Sequence, residues 1–141
     1  MNGLLHAHSG LRWAVLALLL FSIIKGLTSA NKPYSKGLYA ATMGTVHIQV
    51  ILGLILYVNN VLPAIKNAGG FGEVMKNADL RFLAVEHITM MVLAAIIATV
   101  GYSLGKRKPS DAQKHKTTAV FFIISLLLIL AAIPWASRPM F

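Results

Sequence analysis

Four long stretches of the chain are built almost wholly from apolar residues. They cover about residues 4–27, 38–62, 81–104 and 117–135, each close to the roughly 20 residues an α-helix needs to cross a bilayer. Asn31, Pro33 and Ser35 break the first connection, residues 28–37, and Pro109 blocks helix continuation in the third, residues 105–116. The middle connection, residues 63–80, is longer. Its Gly69-Gly70 pair divides it into two short amphipathic pieces expected to lie at the membrane interface. This pattern predicts one all-α domain over residues 1–141, an integral membrane four-helix bundle with short loops. The first stretch is not expected to be a cleaved signal, because its polar start holds His6, His8 and Arg12 and no small-residue cleavage site follows Lys25.

Composition sharpens this reading. Of 141 residues, 57% are apolar and only 12% charged, where a soluble domain carries about a quarter. An ordinary cytosolic globule and a disordered chain are excluded. The absence of cysteine excludes a disulfide-stapled module, and no Walker loop or GxGxxG supports a nucleotide site. The net charge of +9 is distributed unevenly. Lys25, Lys32, Lys36, Lys106, Arg107, Lys108, Lys114 and Lys116 fall on one side of the four stretches, opposed only by Asp111. Arg12, Lys66, Lys76, Arg81 and Arg138 fall on the other, with Glu73, Asp79 and Glu86. The positive-inside rule then puts loops 28–37 and 105–116 in the cytoplasm and both termini outside. The excess is a topology signal that also suits anionic lipid headgroups, and nucleic acid is not an expected partner.

Ionisable residues within spans point to function by default. They are His6, His8 and Arg12 in the first stretch, His47 beside Gln49 in the second, and Glu86-His87 in the third. His115 stands among lysines and reads as a solvated interfacial residue. At 1.5 Å rise per residue, His8 lies roughly 6 Å and His87 roughly 9 Å from the outer end of their spans, whereas His47 lies roughly 22 Å deep. His8 and His87 can therefore share a level. Two imidazoles from separate helices can grip a b-type haem, with His8 and His87 preferred and His47 the alternate. A stripe of His87, Met91, Ala94, Ala95 and Ala98 offers a flat bed for it or, equally, a face for close helix packing without a cofactor, and Gly44 clears room beside His47. Arg12 and Arg81 are placed to meet its propionates. Interhelical hydrogen bonding, worth about 0.6 kcal/mol per contact, explains buried His and Gln without any cofactor. A metal-ion reading uses His6, His8, Glu86 and His87 at the outer face.

The segments HSGLRW (8–13), HIQVILGLILY (47–57), RFLAVEHITMM (81–91), KHK (114–116) and IPWASRP (133–139) together resemble a small bacterial four-span membrane protein family commonly labelled cytochrome B. The resemblance runs over nearly the whole chain. It implies a b-type cytochrome of a bacterial cytoplasmic (inner) membrane, in which His8, His47 and His87 occupy the family's histidine positions. The leading expectation is a haem b protein or haem-bearing subunit that passes electrons between a quinone and a respiratory partner. In a refinement of it, Glu86 and His87 handle the protons of quinol oxidation. Two alternatives stand beside it: a cofactor-free accessory subunit that docks on a larger complex through the Leu and Ile face of the fourth stretch, and an outer-face metal-binding membrane protein. Homodimerisation suits so small a bundle.

Overall fold

The computed structural model describes residues 2–135, with side chains from Gly3 onward, and every regular element among them is helical. In order these are α1 (Asn2–Thr28), α2 (Lys36–Leu56), a π-helical turn (Tyr57–Val61), α3 (Leu62–Asn67), α4 (Phe71–Val74), α5 (Ala78–Arg81), a second π-helical turn (Phe82–Glu86), α6 (His87–Gly105) and α7 (Asp111–Ala132). Four continuous helical stretches, Gly3–Thr28, Lys36–Asn67, Ala78–Gly105 and Asp111–Ala132, are long and apolar enough to cross a membrane. Leu20, Phe21, Ile51, Val58, Ile96 and Leu127 are each more than half exposed on the outside of the bundle. Such a surface is unfavourable in water and matches hydrocarbon. The chain is an all-α four-helix bundle with the build of a multi-pass membrane protein.

The second helix does not stop at Leu62. It runs on through Pro63 to Asn67. A proline inside a helix lacks the N–H for the carbonyl four residues back and collides with it. The wide turn just before Pro63 absorbs this, with the Leu62 N–H reaching five residues back to the Tyr57 carbonyl. The third helix starts at Ala78 rather than Arg81, because the Asn77 side chain caps it by accepting from the N–H groups of Asp79 and Leu80. The fourth starts at Asp111 rather than Thr117, capped by Ser110 Oγ, which accepts from the Gln113 N–H. It ends at Ala132. Ile133 is extended (φ −73°, ψ 133°), as the residue before a proline prefers. Gly69 and Gly70 turn the chain between α3 and α4 at φ of 102° and 104°, a region that side-chain-bearing residues rarely adopt.

Each long helix packs on the next, and the last closes on the first: α1 on α2, α2 on α6, α6 on α7, α7 on α1. The contact between α6 and α7 is the most extensive. Gly101 lets Phe121 lie directly on the α6 backbone, and Gly105 does the same for Thr118. Ser125 Oγ donates to the Ala94 carbonyl across this seam at 2.8 Å. Ala94, Ala95 and Ala98 are buried in the core with Val15, Leu19, Tyr39 and Phe122. The small-residue stripe of the third span is thus mainly a helix-packing face, and only its His87 and Met91 reach the cavity described below.

Replacing Gly101 by Ala is expected to destabilise the bundle by about 1–3 kcal/mol through overpacking against Phe121. Gly44→Ala, whose added methyl meets open space, should cost nothing. Thermal unfolding of the two variants in detergent compares them directly.

Candidate functional site

Toward one end of the bundle the helices part around a cavity of about 420 Å³. The first helix contributes Leu5, His8, Ser9 and Arg12, the i, i+3 and i+4 positions of one face. The second contributes Val46, Gln49, Val50, Gly53 and Tyr57, again one helical face. Leu83, His87, Ile88 and Met91 come from the third, Ile129 from α7 and Ile133 from just beyond it. The walls are mostly apolar with a few convergent polar groups, the composition of a small-molecule site.

The two π turns lie side by side here, tied by Tyr57 Oη donating to the Ala84 carbonyl at 2.7 Å. In the second of them the His87 N–H reaches back to the Phe82 carbonyl. The extra residue rotates everything beyond it by about 100° relative to a regular helix. Such turns recur at functional sites.

His87 is held from behind. Its Nδ1 is 2.7 Å from the Ala132 carbonyl at the end of α7. A carbonyl only accepts, so Nδ1 carries the proton, and in the neutral ring the lone pair sits on Nε2. The bond also satisfies one of the carbonyls that the end of α7 leaves open. His8 presses its ring against Gly53, where an added Cβ would come within 3.0 Å of Cε1. Its Nδ1 is buried without a hydrogen-bond partner, as is Gln49 Oε1. The Gln49 amide donates to the His8 carbonyl at 2.7 Å, fixing α1 against α2 at this level. Arg12 is only 6% exposed, with its guanidinium 5.1 Å from the Trp13 ring centroid and 5.4 Å from that of Trp135. This arrangement brings a positive charge to the cavity wall between two indoles.

Three of the five residues expected around the haem, His8, Arg12 and His87, thus meet in one cavity. The other two lie elsewhere. His47 bonds through Nε2 to Thr99 Oγ1 at 2.7 Å in a separate groove. Arg81 donates to Glu86 Oε1 and to the Met75 carbonyl, both at 3.0 Å, an exposed arrangement that also takes Glu86 away from His87. Gly44 has open space around it and clears nothing for His47. No group of three or more His, Asp or Glu converges among the described residues, so the chelating set of His6, His8, Glu86 and His87 is not assembled. Gly53, Tyr57 and Ser9 escaped the sequence reading. The first two continue the face of Gln49 at i+4 and i+8, the only signal available for them. Arg138 and residues 136–139 of the last motif lie outside the described residues.

His115 corrects the expectation of a solvated residue. It is fully buried. Its Nε2 lies 3.2 Å from the Lys32 carbonyl and 3.1 Å from that of Pro33, so Nε2 carries the proton and Nδ1 accepts from Tyr39 Oη at 2.7 Å. Lys116 beside it is exposed and Lys114 holds its Nζ 5.9 Å from the Tyr34 ring centroid, while the His115 ring latches the first loop to α7. Tyr34 completes the latch, bonding Thr118 through its hydroxyl and Asp111 through its N–H. Burial raises the Tyr34 phenol above its ordinary value, with the Thr118 bond opposing.

His115→Ala is expected to cost about 2–4 kcal/mol, since it leaves the Tyr39 hydroxyl and two carbonyls without their partner. Its exposed neighbour Lys116→Ala should stay within about 0.5 kcal/mol of the parent. Equilibrium unfolding in detergent measures both. No family model, curated protein or solved structure matches the chain.

Proposed function

We propose that the chain is a membrane-embedded b-type cytochrome, in which His8 and His87 would hold the iron of a haem in the cavity between the spans. The observation that carries this reading is the pair of imidazoles from different helices lining one largely apolar cavity, one of them with Nδ1 anchored on the Ala132 carbonyl. A histidine ligand whose far nitrogen is held by a carbonyl is fixed in tautomer and orientation, with Nε2 available for the metal. The donor set fits: two neutral imidazoles suit haem iron, the cavity volume lies within the range of small-molecule sites, and Arg12 in the wall suits a propionate. When bound, haem supplies a one-electron couple. The chain's own part is to hold the ligands, exclude water and compensate negative charge through Arg12. Electrons would pass to a quinone or a respiratory partner in the same membrane.

The orientation belongs to this reading. The loops 28–37 and 105–116 meet through Tyr34, Asp111 and His115, so their lysines and Arg107 gather at one end. By the positive-inside rule that end is cytoplasmic, and the cavity lies toward the outer face of a bacterial cytoplasmic membrane.

Protein purified from membranes in mild detergent should show a sharp reduced α band. His87→Ala and His8→Ala should each lower haem occupancy at least about tenfold, and His47→Phe should leave it unchanged. A colourless, folded protein rejects the reading.

Because the chain has no cysteine, single introduced cysteines report its orientation. Lys76→Cys should react with a membrane-impermeant maleimide in intact cells. Lys108→Cys should react only after the membrane is opened.

A further inference from the structure

A second depression lies on the lipid-facing seam between α2 and α6. It has about 240 Å³ of room and is walled by Val50, Val92, Ala95, Ile96 and Val100, with His47 and Thr99 as its polar members. Val50 and Val92 also line the cavity, so the two spaces share a wall. The Thr99 hydroxyl donates its single proton to the Ala95 carbonyl at 2.7 Å. The 2.7 Å contact between Thr99 Oγ1 and His47 Nε2 is therefore donated by the imidazole. In the neutral ring the lone pair then sits on Nδ1, which has no hydrogen-bond partner among the described residues.

His47 lies about 16 Å along the second span from Lys36, far from either end of a helix that continues to Asn67. Water is scarce at that depth, and an acceptor left bare in hydrocarbon is costly. A donor arriving from the lipid phase would satisfy that nitrogen. The exposed side chains of the groove wall, Ile96 and Val100, carry no donor, so a second copy packing the same wall over it would bring none from them.

We propose that this groove binds the head of a lipid-soluble phenol or hydroquinone, with its hydroxyl donating to His47 Nδ1 and its ring lying along Val50, Val92 and Ile96. The room suits one ring, the walls suit an apolar face, and the single polar demand is for an O–H. A quinone, which has only acceptors, fits the same walls but not that nitrogen. The site stands apart from the cavity and does not require haem.

The test uses the full chain in lipid nanodiscs with ¹⁵N-labelled imidazoles, the His47 resonances being assigned by their loss in His47→Phe. A decyl-substituted benzohydroquinone, kept reduced with ascorbate, is titrated against its quinone form. The hydroquinone is expected to shift the His47 Nδ1 resonance saturably and to bind at least about fivefold tighter than the quinone, the difference of one net hydrogen bond. Ile96→Trp, an exposed position at the groove wall, should abolish the shift while the unfolding temperature stays unchanged. Equal binding of the two forms, or a shift that survives Ile96→Trp, overturns the proposal. So does a His47 Nδ1 already hydrogen-bonded before any addition in discs where the chain cross-links to a second copy, which would assign the groove to that copy.

Discussion

In hydrocarbon every polar group must find its partner within the protein, and this constraint organises the bundle. Several polar side chains inside the spans reach a neighbouring helix. Ser22 meets Thr42 and Gln49 meets the His8 carbonyl between α1 and α2. His47 meets Thr99 between α2 and α6, and Ser125 and His87 tie α6 to α7 at opposite levels. Each such bond is worth only about 0.6 kcal/mol. Their effect is registry: an apolar helix can slide along another at little cost, and these bonds name one position.

The two ends of the bundle differ in how closely the backbones approach. At the loop 28–37 end, Gly26 lies against the His115 carbonyl and Ala119, and Gly101 and Gly105 admit Phe121 and Thr118. α1 and α6 both close on α7 there, and the rings of Tyr34, Tyr39 and His115 pack beside them. At the other end larger side chains and two π turns hold the helices apart. The cavity follows from that contrast. Close packing by glycine at one end and register shifts at the other open a wedge, and His8 and His87 are on the walls of the wedge.

The sequence made the spans legible because twenty-odd apolar residues in a row have few other interpretations. It also indicated that His8 and His87 share a level, since rise per residue converts position into depth. Rotation was not legible. A π turn inserts one residue of rotation without any compositional mark, so the face of α6 could not be phased from its pattern: of the alanines assigned to a cofactor bed, Ala94 meets Ser125 of α7 and Ala95 lines the groove beside α2. Gly44 and Gly53 are equivalent on paper; only the neighbour across the seam separates an idle glycine from one that seats His8. His115 was misread because its flanking lysines describe the outside of α7 and the ring points the other way.

The histidines inside the bundle are best distinguished by where each keeps its lone pair. His115 directs its proton to two loop carbonyls and its lone pair to Tyr39, so both nitrogens are engaged and the residue is structural. His87 gives its Nδ1 proton to Ala132 and keeps a lone pair on Nε2. His47 gives its Nε2 proton to Thr99 and keeps a lone pair on Nδ1. The partner behind each ring thus decides what it offers in front. A carbonyl at the end of a helix leaves His87 an acceptor at Nε2, and a threonine already committed to its own backbone leaves His47 an acceptor at Nδ1. One residue type serves three environments because the second nitrogen, not the first, is what the surrounding helices specify.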